Sequence, residues 1–209
     1  MFSQYEEEKI ITEFFRDSNP ENMTFLDIGA NDGITFSNTH RLALMGWKGA
    51  CLDPSPSAFD KLQNLYKDNT KIKCFNFGIS DKNGEIEFNE SLNWINDENT
   101  PVGILSCINS NEKNRFYGMN WRIVKSKFFT FYLFLSAQTY KKFDFINIDC
   151  EGHDLIVLTQ IDLNEVDCKM VCIEFTDESQ IELYQEHFSK YNFELHHKTK
   201  DNLLFTKIK

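Results

Sequence analysis

Thr24-Phe25-Leu26-Asp27-Ile28 is a short apolar run that passes straight into Gly29-Ala30-Asn31-Asp32-Gly33, and this junction limits the folds open to the chain. A brief continuous apolar run behind a turn is the pattern of a strand buried on both faces, which needs helices above and below it. The unit recurs. Gly49-Ala50-Cys51-Leu52-Asp53 predicts a second buried strand, and Pro54-Ser55-Pro56 opens a helix toward Tyr66. Further strands are expected over Lys71 to Phe77, Phe143 to Ile148 and Met170 to Ile173. Apolar residues at helical spacing fill the intervals: Ile10, Ile11, Phe14 and Phe15 over 5–16, and Leu42 and Met45 over 35–45 before Gly46. Leu155 and Leu158 mark another helix, and one more ends near Lys190. Strands alternating with helices predict an α/β, doubly wound, mostly parallel sheet. The last two strands, near 193–198 and 202–208 around Asp201-Asn202, form an antiparallel hairpin.

The middle of the chain is less regular. Asn83-Gly84 reads as a hairpin turn into Ile86-Glu87-Phe88. Residues 89–127 show no clear period and are rich in Asn, Ser and Lys, so an insertion of about 89–130 is expected within one domain of 209 residues. An apolar stretch then runs to Tyr140. Its densest part, Phe128 to Leu135 broken by Thr130, is too short to span a bilayer. With Lys125, Lys127, Lys141 and Lys142 beside it, this part has the makings of a membrane-surface patch, although a core strand and helix with lysines at their ends is the commoner arrangement.

Composition narrows the classes further. A net charge of −10 without a basic block argues against a nucleic-acid binder. Six cysteines without a Cys-x-x-Cys pair read as small buried hydrophobes in a reducing compartment, not as a zinc site. The acidic start, Gln4-Tyr5-Glu6-Glu7-Glu8, is unlike a secretory leader, and a cytoplasmic protein is expected. Twenty phenylalanines predict a core built largely on aromatic rings.

In an open parallel sheet, ligands bind outside the carboxyl ends of the strands. Gly29 and Gly33 let the first turn approach a ligand without a Cβ in the way, and Ala30 and Asn31 lie between them. The Gly-x-Gly-x-x-Gly pattern of pyrophosphate binders is absent. Acids flank the turn instead, which suits a ligand with a sulfonium and an amino group, as in S-adenosylmethionine (SAM). Asp53 ends the second strand, where a carboxylate can accept both ribose hydroxyls. Gly78-Ile79-Ser80 is placed at the adenine edge. The fourth strand ends in Asp149-Cys150-Glu151-Gly152-His153-Asp154 and the fifth in Glu174. Asp149, Glu151, His153 and Glu174 are therefore candidates for acid–base work, with helix capping as the plainer role for an acid there. Asp149 and Glu174 also have the oxygen chemistry to hold a hard divalent cation such as Mg²⁺.

The stretch from Phe25 to Gly33, Ser37-Asn38-Thr39, Gly46-Trp47-Lys48-Gly49, Asp53-Pro54-Ser55-Pro56 and Ile148 to Asp154 together resemble the FkbM family of SAM-dependent methyltransferases. Glu174 and Asn202 fall in matching places. The resemblance runs from about residue 24 to the end and is weakest over 89–130. It departs at Asp53, where the family more often has Glu, and at Asn147, where many members have Lys. It implies a Rossmann-like, seven-stranded class I methyltransferase sheet, with SAM held by Asp27, Gly29, Ala30, Asn31, Gly33, Asn38, Asp53, Pro54, Ser55, Gly78, Ile79, Ser80 and Asp149. It further implies O-methylation of a sugar or glycan hydroxyl. A lipid or other small-molecule acceptor, or a catalytically silent binding module in a glycan-assembly system, are the alternatives. The insertion is expected to form the acceptor pocket, with Trp94, Trp121 and Tyr117 for stacking and Asn109, Asn111 and Arg115 as donors.

Overall fold

A computed structural model of the chain describes residues 1–94, 103, 105–138 and 141–208. Helix α1 (Glu7–Phe14) precedes β1 (Thr24–Ile28), α2 (His40–Leu44), β2 (Lys48–Leu52), α3 (Pro56–Tyr66) and β3 (Ile72–Phe75). Then come β4 (Gly78–Ile79), β5 (Gly84–Trp94), β6 (Met119–Phe129) and α4 (Phe131–Ser136). The chain ends with β7 (Phe145–Ile148), α5 (Asp154–Leu158), β8 (Met170–Glu174), α6 (Gln180–Ser189), β9 (Phe193–Lys198) and β10 (Asn202–Lys207).

Seven strands form the main sheet in the order β3-β2-β1-β7-β8-β10-β9. β1 is parallel to β2 and β7, whereas β10 runs antiparallel to β8 and β9. This is the expected class I methyltransferase sheet with its C-terminal hairpin. The strand order reverses at β1, so the crevice lies between the ends of β1 and β7.

Alternation along the buried strands explains the two-sided winding. Phe25 on β1 joins Ile11, Phe15, Leu42, Trp47 and Leu62 on one face, while Leu26 joins Phe134, Leu158, Tyr184 and Phe188 on the other. Aromatic rings fill much of this core, with Phe25, Phe143, Phe145 and Phe205 fully buried. Beneath the sheet, the buried Asp144 carboxylate accepts hydrogen bonds from Thr24 N and Thr24 Oγ1 and pairs with Lys142 and Lys169. All six cysteines are free thiols.

Three sequence expectations need correction. The helix expected over 35–45 shrinks to α2, because the Asp32 carboxylate holds Ile34 N and Thr35 N and Phe36 has φ 55°. Asn83-Gly84 does not close a hairpin: β4 and β5 both flank β6 in a separate three-stranded sheet. Much of the stretch without a period is regular structure, the long antiparallel pair β5 and β6. A small sheet half exposed on both sides has no strict inside and outside, and a bulge between Ser91 and Trp94 shifts its register, so alternation is lost. Residues 95–102, 104 and 139–140 of this region lie outside the described residues.

Phe128, Phe131, Phe134 and Leu135 are buried, which favours the core arrangement over a membrane-surface patch. Among the described residues no helix is long and apolar enough to cross a membrane.

One contact fixes the crevice. Gly29 has φ 88°, and a Cβ on it would lie 1.7 Å from the Asp149 carbonyl oxygen. Gly29→Ala is expected to lose about 2 kcal/mol or more of stability, from a left-handed backbone plus a forced backbone shift. Urea unfolding followed by circular dichroism measures it, and an unchanged midpoint would contradict the close approach.

Candidate active site

A cleft opens over the carboxyl ends of β1, β2, β4, β7 and β8 and reaches the turn that precedes β6. Asp27, Gly29, Ala30, Asn31, Asp53, Pro54, Gly78, Ile79, Asp149, Glu151, His153 and Glu174 line it, so the structure brings together most of the residues singled out from the sequence. Gly33, Asn38, Ser55 and Ser80 are buried behind that lining. A Cβ on Gly33 would meet Leu62 and Leu65 of α3. Ser55 caps α3 by accepting from Ala58 N. Asn38 donates to Asn147 Oδ1, and Asn147 donates to Asp27 Oδ1. Thr39 Oγ1 donates to the other oxygen of Asp27. Asn147 thus locks Asp27 from the neighbouring strand.

Asp53 is 6% exposed and built to accept. Asn31 N donates to its Oδ2 at 2.8 Å and Ser55 N to its Oδ1 at 2.8 Å. Each carboxylate oxygen keeps a lone pair for a further donor. Burial pushes the Asp53 pKa up to about 7 against the pull of these backbone N–H groups, and Asp27 and Glu90 add repulsion. Asn31 Oδ1, also buried, has no hydrogen-bond partner among the described residues. A nucleoside bearing two vicinal hydroxyls fits this strand end.

The loop after β7 is shaped by Asp154 and displays Glu151. Asp154 accepts from Cys150 N at 2.7 Å and Gly152 N at 3.0 Å, so this acid builds the turn. Glu151 sits at φ 47° and Gly152 at φ 85°. A left-handed conformation at a non-glycine residue costs about 1–2 kcal/mol and is held here by its surroundings. His153 turns the other way, its Nε2 lying 3.1 Å from Ser80 Oγ. Burial lowers its pKa, which keeps the imidazole neutral at pH 7.

Asp149, Glu151 and Glu174 face one another across the cleft floor. Burial first, then repulsion from Asp154 and Asp27, raises Asp149 to about 8. Glu151 and Glu174 are pushed well above the carboxylate range, by burial first and by Asp149 next. Arg115 pulls all three down. An acidic pocket held partly protonated gains by admitting a positively charged ligand.

The far wall comes from the segment between β5 and β6, where Leu105, Ser106, Ile108, Arg115 and Phe116 reach the cleft. Trp94, Trp121 and Tyr117, expected there for stacking, do not. Tyr117 is 96% exposed and Trp121 packs on Phe116. Asn109 accepts from Asn111 N and caps its own turn. Arg115, expected as a donor to the acceptor, faces acids of its own chain. Hydrophobic spacing could not reveal this, because an irregular turn has no period.

Two buried acids escaped the sequence reading. Glu90, fully buried, accepts from Ser55 Oγ, Ser57 N at 3.2 Å and Arg122 Nε, which ties the second sheet to the start of α3. Glu7, also fully buried, accepts from Thr199 Oγ1 at 2.6 Å and Asn202 Nδ2 at 3.1 Å. The only sequence signal was an acid inside an otherwise ordinary polar stretch.

The sequence model of the Methyltransferase FkbM domain matches residues 27–199. The chain belongs to this family. It is a SAM-dependent methyltransferase, and its strand ends fit that cofactor on their own geometry. No curated protein sequence matches the chain significantly. Among solved structures, a ribosomal protein L11 methylase from Lactobacillus delbrueckii subsp. bulgaricus is 13% identical with a TM-score of 0.50, covering 98% of this chain and 80% of that one. A putative RNA methyltransferase from Pyrococcus horikoshii is 15% identical with a TM-score of 0.49, covering 97% and 80%. The magnesium protoporphyrin IX methyltransferase of Synechocystis PCC 6803, with bound SAM, is 12% identical with a TM-score of 0.47, covering 97% and 78%. At 13% identity, the likeness to the first of these is one of fold alone.

A pH dependence of cofactor binding is expected if Asp53 takes the ribose. The ribose hydroxyls would donate to the ionised carboxylate, so affinity would be full above pH 7. It would fall as pH drops through about 7, by up to about tenfold per unit. Calorimetry with S-adenosylhomocysteine should show this slope. Asp53→Asn should bind at least about tenfold more weakly at pH 8 and lose its share of the slope. Equal affinities for both proteins would remove Asp53 from the ribose site.

Proposed function

We propose that the protein methylates a hydroxyl of a sugar or glycan, holding SAM across the ends of β1, β2 and β4 and the acceptor against the acidic floor beside Arg115. The convergence of Asp149, Glu151 and Glu174 beside the Gly29 turn carries this reading. Carboxyl groups at such a floor accept hydrogen bonds from several hydroxyls at once, which suits a polyol better than an isolated amine. An Asn/Asp-Pro-Pro-aromatic loop, suited to amino groups, is replaced by Asp149-Cys150-Glu151-Gly152.

Bound SAM supplies an electrophilic methyl on a sulfonium. The residues of this chain do the rest. Asp53 fixes the ribose, while Gly78 and Ile79 border the adenine. The carboxyl floor orients the acceptor hydroxyl, and its ionised member takes up the proton as the carbon–oxygen bond forms and the carbon–sulfur bond breaks, a contribution of about 10²–10⁴ in rate. Alignment of donor and acceptor supplies the larger share, about 7–11 kcal/mol in well-oriented reactions. His153 is hydrogen-bonded toward Ser80, so the carboxyl groups are the better placed proton acceptors.

A single domain acting in the cytoplasm is part of the same proposal, supported by six unpaired thiols. A lipid-linked or other small-molecule hydroxyl is the second reading, favoured by the apolar wall of Leu105, Ile108 and Phe116.

Methyl-labelled SAM incubated with nucleotide sugars, oligosaccharides and lipid-linked glycans tests both. Label should pass to a sugar-bearing acceptor, and Glu151→Gln should lower kcat at least about a hundredfold with cofactor affinity retained. Transfer to the lipid-linked members alone supports the second reading. No transfer to any acceptor by a protein that binds SAM would favour a silent binding module.

A further inference from the structure

The floor of the cleft carries more carboxyl oxygens than the surrounding protein satisfies. One oxygen from each of Asp149, Glu151 and Glu174 lies within 4.8 Å of the others. Three oxygens ringing a cation at 2.3–2.6 Å stand about 4.0–4.5 Å apart at their widest, so a small closure brings this set onto one ion.

Convergent acids are not by themselves a site, but a second observation points the same way. Glu174 is only 9% exposed, and its Oε2 is buried with no hydrogen-bond partner among the described residues. Glu151 Oε2 is likewise buried without one. The neighbouring cation does not supply the missing donors. Arg115 Nη2 lies 3.7 Å from Glu174 Oε1, and Nη1 lies 3.8 Å from Glu151 Oε2. Both distances exceed the roughly 2.7–2.9 Å of a charge-assisted hydrogen bond. The close bond of this guanidinium, 2.9 Å, goes to Glu112 on its own turn. Arg115 therefore offsets the charge from a distance and leaves the carboxylate oxygens free. Asp154 does not belong to the set, because its oxygens hold Cys150 N and Gly152 N.

We propose that Asp149, Glu151 and Glu174 bind a hard divalent cation, and that Arg115 is the internal cation it displaces. An all-carboxylate set without imidazole or thiolate selects Mg²⁺, Ca²⁺ or Mn²⁺ over softer metals. The longer bonds of Ca²⁺ ask for less closure of the floor than the 2.0–2.1 Å bonds of Mg²⁺. Arg115 can leave without disturbing the sheet, since its side chain is 36% exposed and the Ser110–Arg115 turn that carries it contributes no buried residue to the core.

The proposal deepens the reading of this cleft as a methyl-transfer site, yet its test uses neither SAM nor an acceptor. Ligand-free protein is titrated with Mn²⁺ while the resonance of the free ion is followed by electron paramagnetic resonance. One bound ion is expected, with Ca²⁺ or Mg²⁺ competing for it. Glu174→Gln and Glu151→Gln should each weaken binding at least about tenfold, and Arg115→Ala should tighten it severalfold. Circular dichroism and S-adenosylhomocysteine calorimetry on each variant show whether the fold and the cofactor site persist, so the two readings fail separately. If Glu174→Gln does not fold, Glu151→Gln decides alone. Absence of Mn²⁺ binding in both the unmodified protein and Arg115→Ala would overturn the proposal, as would unchanged binding in the folded glutamine variants.

Discussion

The backbone of Gly29 lies against the carbonyl of Asp149 where two parallel strands end, and the rest of the site depends on that approach. A side chain at either surface would hold the strand ends apart. Without one, the turn after β1 and the loop after β7 share a wall, and the crevice at the reversal of strand order becomes a place where two ligand halves can meet. Asn147 and Asp27 reinforce the junction from within, because the buried amide donates to the buried carboxylate across the same strand pair. The nucleoside end and the acidic end of the cleft are thus held by one rigid core.

Charge is the second organising constraint. Burial alone drives the carboxyl groups of the cleft toward their neutral forms, and their closeness drives them further. The protein answers differently at each strand end. Asp53 receives two backbone N–H groups, Asp27 receives Thr39 and Asn147, and Asp154 is spent on its own turn. Among the described residues, Glu151 and Glu174 receive only the distant field of Arg115. What is left unsatisfied is what a positively charged ligand would recognise.

The second sheet links these regions. Glu90 reaches from β5 to the N-terminus of α3, two residues from Asp53, and Arg122 of β6 holds it there. The same pair of strands carries the turn bearing Arg115 to the opposite side of the cleft. Glu90 therefore ties the wall that bears Arg115 to the Asp53 strand end through a buried carboxylate.

The sequence by itself determined the main sheet. Runs such as Thr24 to Ile28 and Met170 to Ile173 are too apolar to lie anywhere but between two helical layers, and the residues at their ends must then meet on one edge. Asp53, Asp149, Glu151 and Glu174 were legible for that reason. Tertiary structure alone decided which acids serve the cleft and which serve the fold, since Asp154 and Glu151 differ only in where their oxygens point. It also decided that Gly84–Trp94 and Met119–Phe129 pair in a second sheet, because half-exposed strands with a bulge leave no periodic trace. The place of Arg115 over the acidic floor is a long-range contact made by an aperiodic turn, and local sequence pattern has no means to encode it.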